Sequence, residues 1–114
     1  MIRWPLTFYT IRFVPKGFAG CARGPVIFIR PEYKDDYGLY RHERVHVRQW
    51  ITSLGLHSVL YLLSDRYKLE CELEAYREQL LHYDTDKSEL FSKFISESYG
   101  LSISQQNALL LLLQ

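Results

Sequence analysis

His42, Glu43 and His46 lie within "YRHERVHVRQW", residues 40–50, and spell H-E-x-x-H. Imidazole and carboxylate groups bind divalent metals and move protons near neutral pH. On a helix, residues i and i+4 are neighbours, so two histidines at that spacing can share one ion. Zinc lowers the pKa of a coordinated water towards neutrality, and a glutamate on the same face can take the proton. The spacing therefore predicts a Zn2+ site with His42 and His46 as ligands and Glu43 as general base.

That chemistry requires the stretch to be a helix and its histidines to face inward. Asp35 or Asp36 supplies an N-cap, the helix is expected to run to about Ser53, and Gly55 is its stop signal. A helix turns about 100° per residue. With Leu39 as reference, His42, Glu43, His46, Trp50 and Leu54 share one side, and Arg41, Arg44 and Arg48 fall on the other. A surface charge cluster would not sort its residues this way.

A catalytic zinc usually takes three protein ligands. The metzincin extension needs Gly at 49 and His at 52; the chain has Gln49 and Thr52 there, which excludes it. A carboxylate from a later helix is the alternative. Ser64 or Asp65 caps such a helix, expected over 66–83. On it Leu69, Leu73, Tyr76, Leu80 and Tyr83 form an apolar stripe. Glu72 sits at the edge of that stripe, whereas Glu70, Glu74 and Glu78 fall on the outer face. A carboxylate on a buried face needs a cation or strong hydrogen bonds. Glu72 is therefore the expected third ligand, ahead of Glu74 and then Glu70. Cys71 points away from Glu72 and is expected to stay off the metal.

The remaining elements must carry these two helices. "LTFYTIRFV" (6–14) alternates and reads as a strand, "PKGFAG" as a turn, and "PVIFI" (25–29) as a second strand closed by Pro31. Together they predict a hairpin or small sheet. "LHSVLYLL" (56–63) reads as a short apolar helix. Asp86 with Glu89 resembles a capping box for the next helix, Gly100 ends that helix, and a last one starts near Ser104. The order predicts an α+β fold: a short N-terminal β segment followed by a helical bundle. It divides into β segment 1–35, active-site helix 36–54, glutamate helix 65–83 and C-terminal helices 86–114, all in one domain.

"HERVH" followed by a helix bearing "ELEAY" resembles the gluzincin clan of zinc metallopeptidases. In several branches, including Ste24-like proteases and the ImmA/IrrE group, the ligand glutamate is followed three residues later by alanine. Glu72 and Ala75 match that spacing; Glu70 and Glu74 do not. One residue further on these families often place Asp or Asn to orient a histidine. Here Tyr76 stands there, and its phenol is a substitute for that role. Overall, "HE..H..QW" and "E.EAY..Q" resemble small phage- and prophage-encoded metallopeptidases over roughly residues 20–83. The resemblance implies a minimal zincin-like fold and a hydrolase acting on a peptide or protein substrate. "VIFI" then holds the position of the strand that edges the cleft, where an extended peptide adds by strand pairing, with an interior strand that binds no ligand as the equal alternative. An oxyanion stabiliser is also expected; Tyr76, Tyr83, His57 and His82 qualify by residue type and none is singled out.

Composition bounds the alternatives. A chain of 114 residues is one domain's worth, and a net charge of +1 argues against nucleic acid as partner. Cys21 and Cys71 form no C-x-x-C pair and read as two free buried thiols in a reducing cytoplasm, with a disulfide between them as the lesser alternative. "ALLLLL" (108–113) is too short for a bilayer. It is expected to pack in the core, with a homodimer contact through the C-terminal helix as the alternative. Against the peptidase reading stand a zinc-binding module that regulates without turnover and a metal-free helical interaction protein.

Overall fold

The computed structural model describes residues 5–114, so the first four residues of the expected β segment lie outside it. The fold is α+β. A small sheet of β1 (Leu6–Tyr9), β2 (Gly20–Arg23) and β3 (Val26–Ile29) is followed by helices α1 (Tyr37–Thr52), α2 (His57–Leu63), α3 (Asp65–Leu80), α4 (Ser88–Ser98) and α5 (Gln105–Leu112).

The sheet order is β1-β3-β2. The two expected strands do lie side by side, but parallel, with Leu6 opposite Val26 and Tyr9 opposite Ile29. They are therefore not a hairpin. The hairpin joins β3 to β2, a strand whose Gly20 ends the expected turn and whose other residues the sequence pattern assigns to no element. Arg23 pairs with Val26, so Gly24 and Pro25 alone make the turn, and Gly24 takes the positive φ of 58° that such a turn requires. The first strand stops at Tyr9 rather than 14 because its partner β3 is only four residues long. Beyond it, residues 10–19 form a loop pinned by arginines. Arg30 donates to the carbonyls of Phe18, Val14 and Pro15, and Arg23 donates to that of Phe13.

Ile27 and Ile29 alternate inward from β3 and pack with Leu39 and Val47 of α1. A second core joins Leu73 and Tyr76 of α3 to Phe91, Ile95, Leu101, Ala108 and Leu112. The Leu-rich tail thus contributes Ala108 and Leu112 to the core, while Leu110 and Leu113 stay exposed. No helix of the described residues is long and apolar enough to cross a membrane.

The caps of α1 and α3 are Asp36, which accepts from the Leu39 N–H, and Ser64, which accepts from that of Tyr67. The Asp86–Glu89 capping box does not form. Lys87 stands at the N-cap of α4, and Asp86 accepts from the Ser88 N–H and hydroxyl instead. Helix α1 ends before Leu54, which takes a φ of 54° and is 95% exposed, contrary to its expected inward facing. Helix α3 ends at Leu80, so Tyr83 reaches its place from the turn that follows.

At Gly38 of α1, an added Cβ would lie 2.7–2.9 Å from the Tyr83 ring and hydroxyl. Tyr83 cannot move without leaving Asp36, to which it donates at 2.7 Å. Overpacking of this kind costs about 1–3 kcal/mol, while Ala in place of Gly returns about 1 kcal/mol of helix propensity. Gly38→Ala is expected to lower the denaturant midpoint by a net loss of about 1 kcal/mol.

Candidate metal centre

Helices α1 and α3 pack side by side and antiparallel: Gly38 meets Tyr83, His46 meets Glu72, and Gln49 meets Cys71. Ala75, fully buried, leaves room for this approach. The crossing brings His42, His46 and Glu72 together, and one ligand atom from each lies within 4.8 Å of the others. The two Nε2 atoms are 3.2 Å apart. Glu72 Oε1 is 3.3 Å from each of them, and its Oε2 is 3.2 Å from that of His46.

Glu72 is only 2% exposed, and its ion-pair partners among the described residues are the two imidazoles, with no Lys or Arg. Such burial disfavours a carboxylate unless positive charge stands beside it. Burial opposes ionisation of both His46 and Glu72. Their mutual attraction overrides it, pushing His46 up to about 9 and Glu72 well below the usual carboxylate range. Two ring nitrogens and a carboxylate, converging in a desolvated spot, are a donor set suited to zinc.

The competing glutamates are engaged elsewhere. Glu70 pairs with Arg66 on the surface. Glu74 pairs with Arg48 and accepts from Gln49 Nε2 at 2.8 Å. Gln49 in turn holds His46, with its Oε1 2.9 Å from Nδ1. Glu74 therefore braces a histidine from behind. Tyr76 does not orient His42 through its hydroxyl, which meets Tyr99 at 2.7 Å. Its ring packs edge-on against the His42 imidazole, with centroids 4.4 Å apart.

Glu43 lies beside the trio, 4% exposed, at the floor of a cleft of about 580 Å³. Burial raises its pKa; the two histidines lower it and Glu72 raises it further. Gly20 of β2 lies close by, and a Cβ there would sit 3.6 Å from Glu43 Oε2. Residues 20–24, with Trp50, His57 and Tyr61, line the cleft walls. The strand that edges the cleft is thus β2, not "VIFI": β3 is central, with both its neighbours paired. On the far side of Glu43 and His42 a second cavity of about 670 Å³ opens towards Asp36, Gln79 and Tyr83.

The four residues weighed as oxyanion stabilisers separate clearly. His82 pairs with Glu78, Tyr83 bonds Asp36, and Tyr76 bonds Tyr99. His57 lines the cleft. Burial and the nearby His46 lower its pKa, and Tyr67 holds its Nδ1 at 2.9 Å. Tyr61 was missed altogether. Its hydroxyl donates to Glu72 Oε2 at 2.5 Å, and burial beside that carboxylate pushes its pKa far up, so it remains a donor. The i, i+4 spacing of His57 and Tyr61 on α2 was the available signal. Cys71 is a free buried thiol 3.8 Å from His57 and outside the trio; Cys21 is free as well but, contrary to expectation, only half-buried on its edge strand. No family model matches this chain, and no curated protein or solved structure is detectably similar to it, so its function is read from the site itself.

Proposed function

We propose that the chain is a zinc-dependent peptide hydrolase of the gluzincin type. The observation that carries this reading is the convergence of His42, His46 and Glu72 within 4.8 Å, with Glu43 beside them at the floor of an open cleft. Those three residues would hold the ion through Nε2, Nε2 and carboxylate. Bound there, zinc would supply Lewis acidity, polarising a carbonyl and acidifying water.

Glu43 takes a proton from the attacking water and passes it to the leaving amine. Its raised pKa suits both halves of that task, since a base must also give the proton back. The substrate segment lies along β2, whose outer edge pairs with no other strand of the described residues and is open to an extended chain. His57 Nδ1 meets the Tyr67 hydroxyl at 2.9 Å; in the tautomer that accepts there, the other ring nitrogen is protonated and donates to charge developing on the carbonyl oxygen. The free thiols Cys21 and Cys71 support a cytoplasmic setting.

The test is hydrolysis of a mixed peptide library by the purified protein. Cleavage that a chelator abolishes and added zinc restores is the expected result; chelator-resistant cleavage, or none, contradicts the proposal. His57→Ala is expected to lower kcat by about 10²–10³-fold, as loss of one oxyanion donor does, with zinc content unchanged.

A further inference from the structure

Among the described residues, two buried side-chain atoms reach no hydrogen-bond partner: His42 Nδ1 and Gln79 Oε1. Both are costly to leave unpaired. They are also complementary. His42 turns Nε2 towards Glu72, so with Nε2 on a metal the remaining nitrogen carries the proton and donates. The Gln79 carbonyl accepts.

The helix pairing places the two residues opposite each other. Gly38 of α1 meets Tyr83. One turn along α1 from Gly38 is His42, and one turn back from Tyr83 is Gln79. Both line the second cavity. Nor can the amide of Gln79 reverse. Tyr83 gives its hydroxyl proton to Asp36 at 2.7 Å, so towards Gln79 it can only accept, and it takes the Nε2–H at 2.7 Å. The Gln79 carbonyl must face the other way.

His46 already shows the same device. Gln49 Oε1 meets His46 Nδ1, and the Gln49 NH2 is anchored on Glu74. We propose that Gln79 is the positioning residue of His42: its Oε1 accepts the Nδ1–H through one bridging water, and so fixes Nε2 for the metal. This rests on the metal reading above. Each ligand histidine then has its own glutamine, anchored on Glu74 in one case and on Asp36 through Tyr83 in the other.

The experiment measures zinc affinity by chelator competition for wild type, Gln79→Leu and Gln79→Glu, with NMR of the zinc-loaded wild type. Gln79→Leu is expected to bind zinc at unchanged stoichiometry but about 10–100-fold more weakly, as loss of an outer hydrogen bond to a metal ligand does. Gln79→Glu, which keeps an acceptor, is expected to recover most of that loss. In the wild type the His42 Nδ1 proton is expected to exchange slowly and to show a nuclear Overhauser contact to the Gln79 side chain. Wild-type affinity in Gln79→Leu overturns the role of Gln79 alone. If Gln79→Leu does not fold, the wild-type spectrum decides, and absence of that contact overturns the role. Wild type that takes up no zinc overturns the metal reading and this role together.

Discussion

Glu43→Gln is expected to lower peptide hydrolysis by about 10²–10⁴-fold, the range that a general base contributes, while leaving zinc content at the wild-type level. Glutamine keeps the size and polarity of the buried side chain and removes only its ability to take a proton. Among the described residues the glutamate belongs to no ion pair, and it stands outside the His42–His46–Glu72 trio, so its replacement spares the ligands. A purely structural zinc has no use for a carboxylate at this place. Glu43→Gln with unchanged turnover would sink the assignment of the base. Wild-type protein that binds zinc and cleaves nothing would make the site that of a regulatory module.

Glu72→Ala is expected to cost the metal-free protein about 3–5 kcal/mol, the usual penalty for removing one partner of a buried ionic pair, and to erase stabilisation by zinc. In the wild type, zinc at a hundred times its Kd adds about 2.7 kcal/mol; in Glu72→Ala it should add close to nothing. The pH dependence carries a second signature. The folded pKa of His46 is raised from 6.5 to about 9, so its contribution is complete below 6.5 and is lost as pH climbs to 9. Glu72 is depressed from 4.5, so its contribution is present above 4.5 and is lost in acid. Metal-free protein is therefore expected to be most stable between 4.5 and 6.5 and to weaken towards 9. Zinc competes with protons for the same ligands, so its stabilising effect should grow over that interval. Denaturant melts with and without zinc, across pH, check both signs. Parallel pH profiles would contradict a shared proton and metal site.

The site was legible in the sequence to the extent that its geometry is local. Helical spacing alone put His42, Glu43 and His46 on one face, and the apolar stripe of α3 singled out Glu72, the glutamate that meets the histidines. What spacing could not supply was the pairing between distant elements. β2, "GCAR", contains no β-branched or aromatic residue, and it becomes a strand because a Gly24–Pro25 turn folds it onto β3. The parallel pairing of β1 with β3 depends on a loop pinned by Arg30, which no local pattern encodes. Leu54 was misplaced because the helical angle was carried past a residue that had left the helix. Tyr61 reaches Glu72 only through the angle at which α2 meets α3, and Gln49 entered only as the residue that was not glycine and as a letter of the "QW" pair, with no partner assigned.

Bound metal per chain, measured by native mass spectrometry on protein carrying no histidine tag, tests the central claim most directly. Wild type is run beside His46→Ala and Glu72→Ala after equilibration with zinc and removal of excess. Near-equimolar zinc in the wild type, lost in both variants, is the expected result. Zinc absent from the wild type, or retained in Glu72→Ala at the wild-type level, would contradict a metal centre built from His42, His46 and Glu72.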